Sequence, residues 1–124
     1  MTFSIDAVDV LVWGGGTGGV AAAVQAARGG ASTLLLTPGS WLGGMVSAAG
    51  VCCPDGNELT PWQTGLWGAF LRALEDREAE GLDHNWVSCF GYRPTTAELI
   101  LQDWVRNEPR LQWWPGCSLI EVER

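Results

Sequence analysis

Six consecutive residues, Gly14-Gly15-Gly16-Thr17-Gly18-Gly19, follow an apolar run and have the make-up of a phosphate cradle. Within them Gly14, Gly16 and Gly19 form the G-x-G-x-x-G pattern. In that pattern the first glycine permits a tight turn and the second lets backbone approach a pyrophosphate. The third lets a helix pack closely on a strand. The pattern says little alone; it becomes informative when a strand precedes it and a helix follows. The helix start would then offer its free N–H groups and partial positive charge to phosphate oxygens. A dinucleotide site also calls for an acidic residue about 20 positions on, at the end of the second strand, to hold a ribose. That place falls on Thr37, flanked by Leu36 and Pro38. A threonine hydroxyl can hydrogen-bond a ribose, though less strongly than a carboxylate. No arginine adjoins Thr37 to receive a 2′-phosphate, which argues against NADP.

Other reactive side chains are few. Cys52 and Cys53 are adjacent, so a redox disulfide would close a strained ring, and small buried apolar residues are the favoured reading. His84 is the single imidazole, within Gly81-Leu82-Asp83-His84-Asn85, and reads as a solvated loop residue before a general base. Cys89 and Cys117 complete four cysteines with no C-x-x-C pair, so no metal site is expected. Arg93 could meet a phosphate or carboxylate, but a surface role is the simpler reading. All seven basic residues are arginine, which removes lysine nucleophiles and P-loop chemistry. No catalytic residue is identified.

The elements that would position the glycine loop are legible. Val8 to Trp13 reads as a strand buried on both faces. Thr17 to Arg28 reads as an alanine-rich helix with Val20 and Val24 on one side, stopped by Gly29-Gly30. Ser32 to Thr37, with Leu34-Leu35-Leu36, reads as a second buried strand ending at Pro38-Gly39. Together these make a βαβ unit with a parallel pair and a right-handed crossover. Pro38 to Leu59 loses periodicity yet carries little charge, the mark of a functional loop. Thr60-Pro61-Trp62-Gln63 reads as a capping box opening a helix to about Glu80, with Trp62, Leu66, Phe70 and Leu74 along one face and a charged, exposed end from Glu75. A second box, Thr95 to Glu98, opens a helix to Asn107 with Ala97, Ile100, Leu101 and Trp104 inward. Leu111 to Trp114 and Cys117 to Val122 read as two short strands bent at Pro115-Gly116. Trp67 and Trp104 fall on core faces, and Trp113-Trp114 alternate across their strand.

Composition bounds the function. The 124 residues suit one domain over 1–124, and 47% hydrophobic content argues against disorder. Fourteen acidic against seven basic residues give a net charge of −7, which excludes an electrostatic nucleic-acid binder and a basic membrane-surface binder. The uncharged stretches Val10–Ala27 and Gly29–Pro54 are too rich in glycine, or broken by Pro38, to span a membrane. Met1 to Asp6 lacks a basic leader, and a reduced, cytoplasmic compartment is expected.

From Asp9 to Asp55 the sequence resembles the start of FAD-dependent oxidoreductases of the glutathione-reductase-like, two-dinucleotide-binding superfamily. The resemblance rests on the GGGTGG loop and on Trp41-Leu42-Gly43-Gly44-Met45 after the second strand. It extends loosely to the helix Thr96 to Asn107 and to Leu119-Ile120-Glu121-Val122. It implies an α/β, Rossmann-like FAD-binding fold with a small parallel sheet flanked by helices, incomplete at three or four strands. The implied cofactor is FAD, with Gly14, Gly15, Gly16, Thr17, Gly18 and Gly19 at the pyrophosphate and Thr37 at the ribose. Trp41, Gly43, Gly44 and Met45 would run beside the ribityl chain and flavin, and Leu119 beside adenine. Family members usually carry Glu at the place of Thr37 and are several times longer, with a substrate domain. The implied activity is electron or hydride transfer from a small organic substrate through FAD. The alternatives are a non-catalytic dinucleotide-binding fragment, an NAD-binding module, and a homo-oligomer or a site completed by another chain.

Overall fold

The computed structural model describes residues 7–54, 63–78 and 91–123. Strand β1 (Val10–Trp13) runs into the glycine loop, helix α1 (Thr17–Arg28) follows, and strand β2 (Thr33–Thr37) returns alongside β1. Val10 pairs with Thr33 and Trp13 with Leu36 in a parallel register. After a 3-10 turn at Gly44–Val46 come helix α2 (Gly65–Arg77), helix α3 (Pro94–Asn107) and strand β3 (Leu111–Pro115). The strand β3 lies parallel to β2 on the side away from β1, so the sheet order is β1-β2-β3. This is the α/β, Rossmann-like arrangement expected, with three parallel strands and flanking helices.

The middle strand β2 is the most deeply covered: Leu34 and Leu35 are buried, as are Thr33 and Thr37. The core layer joins Leu35 to Val20, Ala23, Val24 and Ala27 of α1, Leu71 and Leu74 of α2, and Ala97, Ile100 and Val105 of α3. Each fully buried branched side chain contributes about 1.5–3 kcal/mol relative to exposure. The apolar spacing of α1 and α3 explains why each presents that stripe inward. A carboxylate fastens the lower end of the sheet, where Asp9 Oδ2 accepts from the Ser32 amide and hydroxyl, both at 2.8 Å. Those hydrogen bonds, with Arg110 nearby, hold the Asp9 carboxyl below the usual carboxylate range.

Several expectations need correction. The strand β1 is an edge, not buried on both faces: Leu11 is 58% and Trp13 41% exposed. The helix α2 starts at Gly65, five residues after the Thr60 capping box. Gln63 and Thr64 lie outside the helix, and Gly65 has φ +58°, a left-handed turn that a right-handed helix cannot run back through. Thr60, Pro61 and Trp62 themselves, like His84 and Cys89, lie outside the described residues. Nor does the Thr95–Glu98 box form. Pro94 occupies the first helical turn, the cap position is Arg93, and no side chain caps it. Glu98 is buried instead and accepts from Gln102 one turn on. No strand runs from Cys117 to Val122. After the Pro115-Gly116 bend only the Cys117 amide is tied back, to the Thr37 carbonyl at 2.9 Å, and Leu119, Ile120 and Val122 are exposed.

The end of α2 is also less solvated than its charges suggest. Glu75, Asp76 and Arg77 are exposed, but Glu78 is buried. Its carboxylate accepts from Arg93 Nη2 at 2.9 Å and from the Arg93 amide at 3.3 Å, locking α2 to the start of α3. The Arg93 hydrogen bonds, followed by that of Thr96, hold Glu78 below the usual glutamate range. A carboxyl depressed in the folded state adds stability that is complete above about pH 5 and is lost as pH falls through the folded-state value. Glu78→Gln is expected to lower stability at neutral pH by about 1 kcal/mol. It should also flatten the acid limb of a melting-temperature-against-pH profile; an unchanged acid limb would contradict this role.

Candidate functional site

The glycine loop forms because three contacts exclude side chains there. Gly14 has φ +105°, and its amide donates to the Leu36 carbonyl at 2.8 Å, extending the β1–β2 ladder by one residue. A Cβ on Gly19 would stand 1.9 Å from the Gly14 carbonyl oxygen, so the first turn of α1 lies directly against the turn that precedes it. A Cβ on Gly15 would stand 2.8 Å from Thr37 Cγ2, so the end of β2 forms the floor under the loop.

Gly16 and Gly18 differ in kind. A Cβ on either would meet nothing within 4 Å, and neither has a positive φ. Both are exposed, as is Thr17 between them. No packing or backbone reason therefore demands glycine at these two places. They leave open space at the α1 N-terminus. No acidic side chain occupies the first turn of α1, and no side chain caps it. The free N–H groups and the positive end of the helix dipole face outward, an arrangement suited to an anion.

The segment after β2 closes on this loop from the other side. The Gly43 amide donates to the Gly15 carbonyl at 2.7 Å, and Gly16 and Gly43 form an isolated parallel bridge. A Cβ on Gly44 would stand 3.0 Å from Gly16 Cα. A Cβ on Gly43 would strike Leu101 Cδ1 and Ser47 Oγ, each at 2.6 Å. Leu42 and Ser47 are buried, and the Ser47 hydroxyl donates to the Leu42 carbonyl, pinning the turn. Met45 at 65% and Trp41 at 41% exposure project outward from the same segment. The two glycine segments named from the sequence are thus brought together. Thr17 also lines an apolar cavity of about 200 Å³ with Val46, Trp67, Phe70, Leu101 and Trp104.

Thr37 sits at the carboxyl end of β2, beneath the loop, and is 1% exposed. Its hydroxyl donates to the Gly39 carbonyl at 2.6 Å and accepts from Trp113 Nε1 at 3.0 Å. Sequence reasoning missed Trp113 as its partner. The two are 76 positions apart, and nothing in either neighbourhood signals the pairing. Leu119 is half exposed and lies beyond the end of β3.

The two kinds of glycine separate experimentally. Gly19→Ala is expected to destabilise the chain by about 2 kcal/mol or more, because loop or helix must shift to clear a backbone carbonyl. Gly18→Ala, inside α1 with open space around it, is expected to stabilise by up to about 1 kcal/mol through helix propensity. Denaturant melts of the two variants check both signs.

Comparison with known proteins agrees with this geometry. No curated protein matches the chain. The crystal structure of AlpK superposes with a TM-score of 0.59 at 19% identity, covering 98% of this chain and 26% of that one. The chain therefore shares that fold and spans about a quarter of AlpK's length. Residues 9–124 match the family described as FAD dependent oxidoreductase, a span that takes in both glycine segments and the strands and helices of the described residues. This chain belongs to the FAD-dependent oxidoreductase family.

Proposed function

We propose that the chain, as a single domain over residues 1–124, binds FAD and serves a flavin-dependent oxidoreductase. The observation that carries this reading is the open space at Gly16 and Gly18. Side chains are absent there without any structural need, directly in front of an uncapped helix N-terminus. When bound, FAD supplies two-electron transfer between an organic substrate and an acceptor. The chain's own part is to bind and orient. Gly14, Gly15, Gly16, Thr17, Gly18 and Gly19 receive the pyrophosphate through backbone N–H groups. Gly43 and Gly44, held against that loop by the Gly15–Gly43 hydrogen bond, flank the ribityl chain together with Trp41, and Met45 lies beside the flavin. Thr37 forms the floor near the ribose and steadies Gly15, since its hydroxyl already has partners on both sides. Leu119 stands on the adenine side. The absence of an acid at the end of β2 weighs against an NAD module, which relies on that carboxylate for its ribose.

The test is the visible absorption spectrum of the purified chain before and after incubation with FAD and desalting. A retained flavin band is the expected result. Gly16→Ala, whose added methyl would meet nothing within 4 Å in the fold, should weaken FAD binding by about tenfold or more, because the methyl intrudes where backbone must approach phosphate. A chain that is folded by circular dichroism yet stays colourless would favour the non-catalytic reading.

A further inference from the structure

Beyond the glycine loop, Cys52, Cys53 and Tyr92 form a cluster that no step of flavin binding uses. The Tyr92 amide donates to the Cys52 carbonyl at 3.2 Å, which ties the cysteine segment to the residue two before α3. Both thiols are free and half-buried. The Tyr92 ring is 92% buried by its 8% exposure, and it stands edge-on to Phe70 at 5.9 Å. Its hydroxyl is buried and has no hydrogen-bond partner among the described residues. A buried phenol without a partner is costly, so it marks a place where a polar atom is expected. Burial, and the nearness of both cysteines, push the Tyr92 phenol upward, and burial with Cys53 does the same to Cys52. Tyr92 and Cys52 are thus held toward their protonated forms.

That donor set is selective. Two sulfurs on consecutive residues cannot complete the four-ligand shell of zinc, and the described residues contain no group of three metal-ligating side chains. Sulfur donors favour soft elements. A trivalent metalloid with exchangeable hydroxides fits better than a divalent cation, because it accepts two thiol protons itself and keeps one oxygen for the phenol.

We propose that Cys52 and Cys53 form a site for trivalent arsenic, with the Tyr92 hydroxyl donating to the one oxygen the arsenic retains. With arsenous acid, each sulfur forms one As–S bond and one As–O bond breaks for each. Each departing hydroxide leaves as water with the thiol proton. One As–OH remains, the product is neutral, and no electron changes hands. This inference stands apart from the flavin reading and holds whether or not FAD binds.

The test titrates the whole chain with arsenite and with phenylarsine oxide, following the As–S absorption and the intact mass. One arsenic per chain is expected, retained in a Cys89→Ser/Cys117→Ser double variant and lost in Cys52→Ser and in Cys53→Ser. Tyr92→Phe separates the site from any chance dithiol. It should weaken arsenite about tenfold and leave phenylarsine oxide unchanged, since a phenyl group stands where the oxygen would be. Arsenite affinity should also be nearly flat between about pH 6 and 8, whereas a site that must release protons to solvent tightens with pH. Binding that survives in Cys52→Ser, or equal loss of both arsenicals in Tyr92→Phe, would overturn the proposal.

Discussion

The contact between the Gly14 carbonyl and Gly19 sets the rest of the molecule. With no atom allowed on Gly19 Cα, the first turn of α1 lies directly on the end of β1, and the helix axis points its N-terminus over the sheet. That placement turns the Gly15 carbonyl toward Gly43, whose amide it accepts, and brings Gly44 against Gly16. The same placement sets Gly15 over the Thr37 methyl, so the end of β2 supports the loop from below. The glycine loop, the end of β2 and the turn that follows it thereby meet. None of these contacts is a strong interaction. Their effect is geometric, in that backbone rather than side chain borders the open space at Gly16 and Gly18, and backbone N–H groups recognise anions without the entropy of ordering long side chains.

The βαβ unit was legible because its signals are local and agree with one another. The apolar runs, the alanine-rich helix and the glycine stops all point to one arrangement, and α1 spans Thr17 to Arg28 as read from sequence. The misreadings share a different cause. Burial of β1 on both faces is a property of a strand inside a wide sheet, and here β1 is an edge of three. The Thr95–Glu98 box failed because the helix starts at Pro94, two residues sooner than a cap at Thr95 would allow, leaving Glu98 to be buried beside Gln102. The run after Gly116 has strand-forming residues, but only one amide reaches β2, so propensity had no ladder to join.

For the candidate site, residue type announced the glycines but not their division of labour. Gly14, Gly15 and Gly19 are required by turn geometry and packing, whereas Gly16 and Gly18 are free of both demands. A pattern of letters cannot separate these two reasons, because glycine satisfies either. Thr37 was noticed for what it lacks, a charge. Its actual partners, the Gly39 carbonyl and Trp113, follow from β3 lying next to β2, a pairing set by the crossover through α2 and α3.

That buried hydroxyl bears on how a dinucleotide would be chosen here. An acid at the end of β2 normally adds a charge-assisted contact to a ribose. In this chain the position is neutral, buried and already bonded on both sides, so in the proposed binding mode the adenosine end would gain only shape from it. Pyrophosphate recognition by backbone N–H groups is common to every dinucleotide and discriminates among none. Under the proposed binding mode, selection would fall to the opposite end of the ligand, on the side of Trp41 and Met45, which stand exposed on a turn fixed by Ser47 and by the Gly15–Gly43 hydrogen bond. An exposed aromatic ring and a polarizable thioether are the side chains that pack on a large flat ring. A nicotinamide offers less of that surface than an isoalloxazine, so in the proposed binding mode Trp41 and Met45 would favour the flavin.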